Sequence, residues 1–548
     1  MGKRVAFVSS GLEHLGISAL AAYVRQHRHE PVVVYEPRPF SSGSGTDLPA
    51  LARWLDPSPA ETAARVLASD PDLVAFTSYS VTHRWSVEVA REIKAHRAIP
   101  IVFGGAHVSA APERAIREAS VDAVVEGEGE GALVDLLECV ERERFGRTDV
   151  ANVTFRGPNG PVRNPVRPLI ADLDALPWAD KSGFYSAVPE LEREYYVISR
   201  RGCPFRCSFC EYSTFSTQYP GEKPVRRRSV TDVVAELRAV RAGGRVRKVF
   251  FWDPIFTLDL HWVREFADTY AREVGIPFEC YTHPQTMSDE MASLLAKAGC
   301  IMVRVGVQSV NSDTLASVDR KGDRLRVQRT LESLRTHDVP YSVDHIVGLP
   351  GEGPIDQLDA LHFYNRHRPR RIVAHWMTYF PGTTALEQGR RDGTLSDADV
   401  ERVLDGDVGP GYIYGGNAGL ANQQQLARLR ELSAVFDWLP LLPANVVEWL
   451  LERERYRYLP GKALLRQLGV LVLAIRGEPA TRERALHIAA SLYGATRAAL
   501  ARRLGRSASP HPRVNAGAPG AKAYPHRPSA PPVVVRRLAI APADHFAK

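Results

Sequence analysis

Cysteine is scarce in this chain. Six cysteines in 548 residues do not make a disulfide-stapled secreted scaffold. No two CxxC pairs occur, which leaves a four-ligand structural zinc site without its usual spacing. Long apolar runs are also missing. The most apolar stretch, 435–443, holds Pro440 and Pro443 and is too short to span a bilayer. The first ten residues open directly on a strand-like run, Val5-Ala6-Phe7-Val8, with no apolar core of a secretory signal. The expectation is a cytoplasmic protein, where thiols stay reduced.

Excess charge is nearly absent from the body of the chain. The formal net charge is +7, yet residues 501–548 alone carry nine Lys/Arg against the single acid Asp544. The rest is close to neutral, which argues against a nucleic-acid-binding surface. That tail also holds eight prolines and few large apolar residues, so residues 505–548 are expected to be a disordered basic segment. Its charge is compatible with peripheral contact to anionic lipid, and no transmembrane segment is expected.

What is present is a strand–helix rhythm on a globular composition, 44% apolar and 24% charged. A chain this long divides into several domains. Runs at 5–8, 31–35, 72–77, 100–105 and 121–125 alternate with amphipathic stretches near 17–26 and 85–96, which predicts an α/β domain with a parallel, doubly wound sheet over 1–145. Gly157-Pro158-Asn159-Gly160-Pro161 has hairpin chemistry and falls in a connector spanning 146–190. Between 191 and 390 six further strand–helix units predict an open, TIM-type partial (β/α)6 barrel, with catalytic groups at the carboxyl ends of its strands. Apolar residues at helical spacing over 423–436, 444–456, 462–475 and 481–504 predict a helical extension over 391–504 that caps the barrel.

Half of the cysteines sit in one turn, Arg201-Gly202-Cys203-Pro204-Phe205-Arg206-Cys207-Ser208-Phe209-Cys210, after the apolar run 195–199. Three soft thiolates on one loop can hold three corners of a [4Fe–4S] cube and leave the fourth iron open. Zinc would need a fourth ligand, a disulfide would strand one of the three thiols, and buried structural cysteines would not need the Gly-Cys-Pro turn.

The CxxxCxxC spacing, with Phe209 before the last cysteine, resembles the radical S-adenosylmethionine (SAM) enzymes. The resemblance implies that Cys203, Cys207 and Cys210 bind the cluster and that SAM chelates the open iron. Further matches follow in order. Asp253-Pro254-Ile255-Phe256 resembles the segment after the second strand. Gly306-Val307-Gln308-Ser309 is similar to the fourth-strand SAM segment, with Gln308 where Glu is more usual. Gly348-Leu349-Pro350-Gly351-Glu352 resembles the fifth-strand segment near adenine, and Phe380-Pro381-Gly382-Thr383 the closing PGT turn. These imply Phe209, Asp253, Gln308, Ser309, Gly348 and Glu352 as SAM-binding residues. Tyr281, His283, Arg304, His345, His375 and Tyr379 are candidates for the barrel mouth. On a regular strand Arg304 and Gln308 share a face.

The sheet domain placed before such a barrel, with a GGxH loop and an EGEGE turn, resembles the cobalamin-binding module of B12-dependent radical SAM enzymes. Ligands of doubly wound sheets lie beyond the carboxyl ends of the strands. Ser10, Thr77, Ser78, Ser80, Gly104, Gly105, His107, Glu126 and Gly127 occupy those ends and are the implied cobalamin contacts. His14, near the position of a cobalt-ligating histidine in the mutases, is read as a capping or surface residue, and His107 as a loop hydrogen-bonding residue.

The resemblance implies a radical SAM C-methyltransferase that uses a [4Fe–4S] cluster, SAM and cobalamin on an unactivated carbon of a small-molecule, lipid or peptide substrate. Methyl would pass by way of methylcobalamin to a substrate radical made by the 5′-deoxyadenosyl radical, with electrons from a donor such as flavodoxin or ferredoxin. The alternatives are radical cyclisation or rearrangement without methyl transfer, and a non-catalytic iron–sulfur or cobalamin sensor. Methylthiolation is disfavoured because no second cysteine triad is present.

Overall fold

The structure, a computed structural model, describes residues 2–11, 13–38, 52–53, 56–142, 145, 149–407 and 423–458, with single positions at 489, 493 and 496. The helix expected at 462–475, all but three positions of the one expected at 481–504, and the basic tail lie outside the described residues.

Residues Val5 to Val8 are buried on both sides, the condition of a strand inside a parallel sheet covered by helices. Strand β1 (Arg4–Ser10) sends Val5 and Phe7 into an apolar layer with the helices Leu15–Gln26 and Glu130–Glu141. Alternate residues Ala6 and Val8 enter the opposite layer with the helices Pro59–Ala68 and Ser80–His96. Strands β2 (Glu30–Glu36), β3 (Leu73–Thr77), β4 (Ile101–Gly104) and β5 (Ala123–Val125) complete five parallel strands in the order β2-β1-β3-β4-β5. The order reverses between β1 and β3, so a crevice opens beyond Ser10 and Thr77.

The sheet does not stop at β5. Strands β6 (Val153–Gly157) and β7 (Gly160–Arg163) form the hairpin that its turn residues predict, and β6 pairs antiparallel with β5. The hairpin assigned to the connector therefore belongs to the first sheet, where it satisfies the free backbone edge of β5.

Six strands, β8 (Glu194–Val197), β11 (Lys248–Phe251), β12 (Phe278–Thr282), β13 (Cys300–Gln308), β14 (Tyr341–Val347) and β15 (Arg371–Trp376), form an all-parallel second sheet in chain order. A two-residue ribbon, β9 (Arg200–Arg201) with β10 (Arg226–Arg227), lies at the base of the cysteine loop. Four of the crossing helices start where a short polar side chain accepts a first-turn amide: Ser229 before Val230–Ala242, Asp259 before Leu260–Glu273, Ser288 before Asp289–Lys297 and Asp323 before Arg324–Thr336. In β13, Val303, Val305 and Val307 pack outward under these helices, while Arg304, Gly306 and Gln308 face the interior.

The helices Gln423–Trp438 and Ala444–Leu451 do not cap the barrel mouth. Leu429, Leu432, Phe436 and Val447 join the apolar layer outside the strands. The mouth is instead closed by Met377 and Tyr379 with the helices Thr384–Arg391 and Asp397–Leu404. No described helix is long and apolar enough to cross a membrane.

Candidate functional site

The cysteine turn begins where β8 ends. Gly202 has φ +84, and a Cβ there would lie 2.0 Å from the Pro224 carbonyl oxygen, so only glycine makes the turn. Cys207 is buried, Cys203 and Cys210 are half-buried, and all three are free thiols. Burial pushes the Cys203 thiol up and that of Cys210 to about 12, although the amides of Phe205 and Tyr212 donate to their sulfurs. Three thiols on one dry turn, with amide donors already aimed at two of the sulfurs, are a set of soft ligands for iron. The donor set therefore fits an iron–sulfur cluster.

Asp253 anchors this turn. Its Oδ1 accepts the amides of Ser199 (2.7 Å) and Arg200 (2.9 Å), and its Oδ2 the hydroxyl of Ser199 (2.6 Å). It is fully buried, and burial moves its carboxyl to about 6. The side chain expected to meet SAM is thus spent on the cluster loop. The same correction holds for Ser309 and Glu352, which bond to each other in the interior, with Gln357 Nε2 donating to Glu352 at 2.9 Å. Burial pushes Glu352 to about 7.

Phe209 and Gln308 do come together. They line a cavity of ≈160 Å³ with Asp344, His375, Met377 and Phe380. Gln308 has φ +69, and the β13–β14 register shifts between Gly306 and Gln308, so the strand end bends its side chain into the cavity. Gly348, at the end of β14, has φ +81.

The mouth candidates divide. His345 is fully buried on the outer side of β14, bonded to Gln357 Oε1 (2.9 Å) and Tyr364 (3.1 Å) and stacked on Phe436. Tyr379 is buried in the closing layer. His345 does not face the mouth, because strand alternation turns it away from Asp344, and Tyr379 packs into the layer that closes the mouth rather than opening into the cavity. Arg304 belongs to a chain of alternating charges across the barrel interior. Glu194 on β8 meets Lys248 on β11 at 2.9 Å, Lys248 meets Glu279 on β12 at 2.7 Å, and Glu279 meets Arg304 on β13 at 2.8 Å. Arg304 also lies over Phe250, 4.4 Å from its ring centroid, and donates to Tyr281. Beyond this chain, Asp344 on β14 and His375 on β15 lie 3.9 Å apart. His375, with 52% of its side chain exposed, opens into the cavity.

Beneath the cluster loop, His283 stacks on Phe205, ring centroids 4.1 Å apart. Burial, and then the charge of Arg320, push its imidazole down to about 3. Arg320 Nη1 reaches the Cys207 sulfur at 3.5 Å while Nη2 donates to the Gly306 carbonyl. Arg320 carries no sequence signal, since the turn after residues 312–317 alone brings it to the loop.

On the first sheet, Ser10, Thr77, Gly104 and Gly105 sit at strand ends. Gly104 pairs with Thr77, and Gly105 has φ +104 with no room for a Cβ, which would lie 2.7 Å from Ser78 O. The exposed ring of Tyr79 stands beside them. A platform of small residues fits a large planar ligand such as cobalamin. The polar side chains do not all face it. Ser78 bonds to His83 (2.8 Å) and Ser80 to His107 (2.9 Å), and the two imidazoles lie tilted against each other with centroids 4.2 Å apart, pushed by burial to about 4 and 3. His107 is thus a buried loop residue, and Ser78 and Ser80 can offer a ligand only backbone. Glu126 is buried, paired with Arg163 at 2.6 Å and accepting from Thr154, a second correction to the expected contacts. His14 caps the helix Leu15–Gln26, its Nδ1 accepting the Ile17 amide at 3.3 Å.

The EGEGE turn has another use, which the sequence expectations missed. Arg201, two residues before Cys203, donates to Glu128 (2.9 Å) and Glu130 (2.6 Å), and Arg226 donates to Glu128 (2.9 Å). Despite burial, these guanidinium groups hold Glu128 below the usual carboxylate range. The Glu128 amide donates to Tyr219 OH at 3.1 Å, and a Cβ on Gly127 would collide with that tyrosine. Opposite charge in the 126–130 turn and in the arginines flanking the cysteines was the available signal. Arg114 with Glu401 and Asp405 forms a second bridge between the two domains.

Comparison with known proteins matches residues 4–137 to the B12 binding domain and residues 197–364 to the radical SAM superfamily. An uncharacterized methyltransferase of Pyrococcus horikoshii is 27% identical over 278 residues, covering 49% of this chain and 57% of that protein. The anaerobic magnesium-protoporphyrin IX monomethyl ester cyclase of Rubrivivax gelatinosus is 25% identical over 334 residues, 58% of each chain. The chain thus spans little more than half the length of these curated relatives. The fold is that of the cobalamin-dependent S-adenosylmethionine radical enzyme OxsB, solved with aqua-cobalamin and S-adenosylmethionine, at a TM-score of 0.61 and 12% identity over 92% of this chain and 84% of that one.

Proposed function

This chain belongs to the radical SAM enzymes that carry a B12-binding domain, and from that membership we propose that it is a C-methyltransferase acting on an unactivated carbon of a small-molecule substrate. The observation that carries the reading is the joint between the two domains. Glu128 and Glu130 of the B12 sheet grip Arg201 at the foot of the cysteine turn, so the strand ends that would hold cobalamin are fixed against the loop that would hold the cluster.

A radical SAM domain implies a [4Fe–4S] cluster and SAM, and a B12-binding domain implies cobalamin. When bound, these groups supply one-electron cleavage of SAM and a carrier for its methyl group. Cys203, Cys207 and Cys210 would hold the cluster. Phe209 and Gln308 would hold SAM against Met377 and Phe380. Ser10, Thr77, Gly104 and Gly105 would hold cobalamin, with Tyr79 at its rim. Asp253 keeps the cysteine turn in register, and the apolar closing layer of Met377, Tyr379 and Leu386 keeps water from the cavity. His375, 3.9 Å from Asp344, stands at the wall left open to substrate. A flavodoxin- or ferredoxin-type donor would deliver the electron, and lipid and peptide substrates fit the same chemistry.

The reading is tested by anaerobic reconstitution with iron, sulfide and hydroxocobalamin. The wild-type chain is expected to retain about four irons and one cobalamin. Cys207→Ala is expected to lose the iron and keep the cobalamin. Equal iron in both proteins would defeat the assignment of the cluster.

A further inference from the structure

The polar side chains inside the barrel fall into two groups. Glu194, Lys248, Glu279 and Arg304 satisfy one another, and Arg304 turns Nε and Nη2 to Glu279 and Nη1 to Tyr281. Asp344 is different. Its side chain is 16% exposed and lines the Phe209–Gln308 cavity, yet its carboxylate accepts no hydrogen bond among the described residues. His375, at 3.9 Å, lies beyond hydrogen-bond reach. The register explains the isolation. Asp344 pairs with Gly306 on β13 and with Val373 on β15, and neither side chain brings a donor. A carboxylate left so far from donors inside a barrel is set for a group that the protein itself does not supply.

The strands at the other side of the sheet carry rings. Tyr196 on β8, Phe250 on β11 and Tyr281 on β12 share the interior face with Glu194, Lys248 and Glu279. A backbone bond from Trp252 to Val197 at 2.8 Å carries the alternation one residue past β11, so Trp252 joins them. Its ring meets Phe250 at 5.0 Å, Tyr196 at 5.5 Å and Tyr281 at 5.9 Å. Phe250 is fully buried, whereas Trp252 is 38% exposed. Arg304 joins the two halves, since it lies over Phe250 and Tyr281 and shares the inner face of β13 with Gly306.

We propose that Trp252 and Asp344 are the substrate subsite, and that the substrate is a planar aromatic ring bearing an ammonium group, its ring on Trp252 and its nitrogen at Asp344. The inference rests on the C-methyltransferase reading and names the substrate class of that site. An ammonium group donates the hydrogen bonds that Asp344 lacks and neutralises its charge, while a carboxylate there would be repelled. Aromatic rings pack edge-on or offset against one another, and the faces of Trp252 and Tyr281 also attract a cation. One polar anchor on a largely apolar wall is enough to fix the orientation of a small ligand.

The test is isothermal titration calorimetry on the full chain, reconstituted anaerobically with iron, sulfide and hydroxocobalamin and saturated with SAM without reductant. Three probes separate the terms: phenylethylamine has ring and ammonium, phenylpropionate has ring and carboxylate, and cyclohexylethylamine has ammonium and no aromatic ring. Wild type is expected to bind phenylethylamine tighter than either of the others, by roughly tenfold over phenylpropionate. Asp344→Asn is expected to lose the preference over phenylpropionate. Trp252→Leu is expected to lose the preference over cyclohexylethylamine, and Trp252→Phe to keep it. SAM affinity and iron content are expected to stay at wild-type values throughout. Phenylpropionate binding as tightly as phenylethylamine, preferences that survive both substitutions, or no binding of any probe would each overturn the proposal. So would weakened SAM binding in Asp344→Asn with the amine preference intact, which would assign Asp344 to SAM. A wild-type chain that binds no SAM would overturn the functional reading itself, a result distinct from a missing preference among the probes.

Discussion

Asp253 receives three hydrogen bonds from Ser199 and Arg200 in a fully buried setting. Removing a buried acceptor of this kind costs on the order of 2–3 kcal/mol, because the donors keep their desolvation penalty. Asp253→Ala is therefore expected to lower unfolding free energy by about that amount in denaturant titration and to lose iron faster than wild type. Glu352 gives a pH signature. Burial raises its folded value from 4.5 to about 7, so the native state favours the protonated carboxyl. Its contribution to stability is whole below the unfolded value and is drawn down as pH rises from about 4.5 through about 7. Thermal melts between pH 5 and 8 are expected to show wild type falling relative to Glu352→Gln. A parallel pair of curves would contradict this.

At the scale of elements, the joint between domains and the charge chain inside the barrel are the parts most sensitive to single changes. Glu128→Ala would leave Arg226 buried without a counter-ion and Arg201 with Glu130 alone, a loss of about 3 kcal/mol, and is expected to weaken cobalamin retention while Cys203, Cys207 and Cys210 still load iron. Lys248→Met would strand Glu194 in the interior and leave Glu279 with Arg304 alone, and is expected to cost about 3–5 kcal/mol in chemical denaturation. The strands at these places were legible in the sequence. Runs such as Val5–Val8 and Val303–Val307 are apolar at every step or every second step because both faces, or one, are covered. The direction of side chains at strand ends was not legible. Motif position alone cannot say that Asp253 turns down to the Ser199 amide, that Ser309 and Glu352 close on each other, or that Glu126 meets Arg163 on a hairpin. The turn at 157–161 is local chemistry and is read correctly, but its pairing with β5 is a long-range event. Helical spacing located Gln423–Trp438 and could not show that Phe436 would stack on His345 outside the barrel.

At the scale of the molecule, two sheets present their carboxyl ends to one another. The cysteine turn, the Phe209–Gln308 cavity and the small-residue platform at Thr77 and Gly104 lie along that seam. Arg201 and Arg114 bind it from the two sides, and Thr214 ties the helix that follows the cysteines to the Gly382 turn at 3.0 Å. Group transfer would need the Phe209–Gln308 cavity, the cysteine turn and the Thr77–Gly104 strand ends to act on one substrate, whereas a sensor would not. The central claim is that this seam performs methyl transfer by radical chemistry. Its most direct test is product analysis after anaerobic incubation of the reconstituted full chain with SAM, hydroxocobalamin and a low-potential reductant. The account predicts that both 5′-deoxyadenosine and S-adenosylhomocysteine form and that Cys207→Ala forms neither. Deoxyadenosine without S-adenosylhomocysteine would contradict methyl transfer and leave cyclase-type chemistry, and neither product from the loaded wild-type chain would contradict an enzyme.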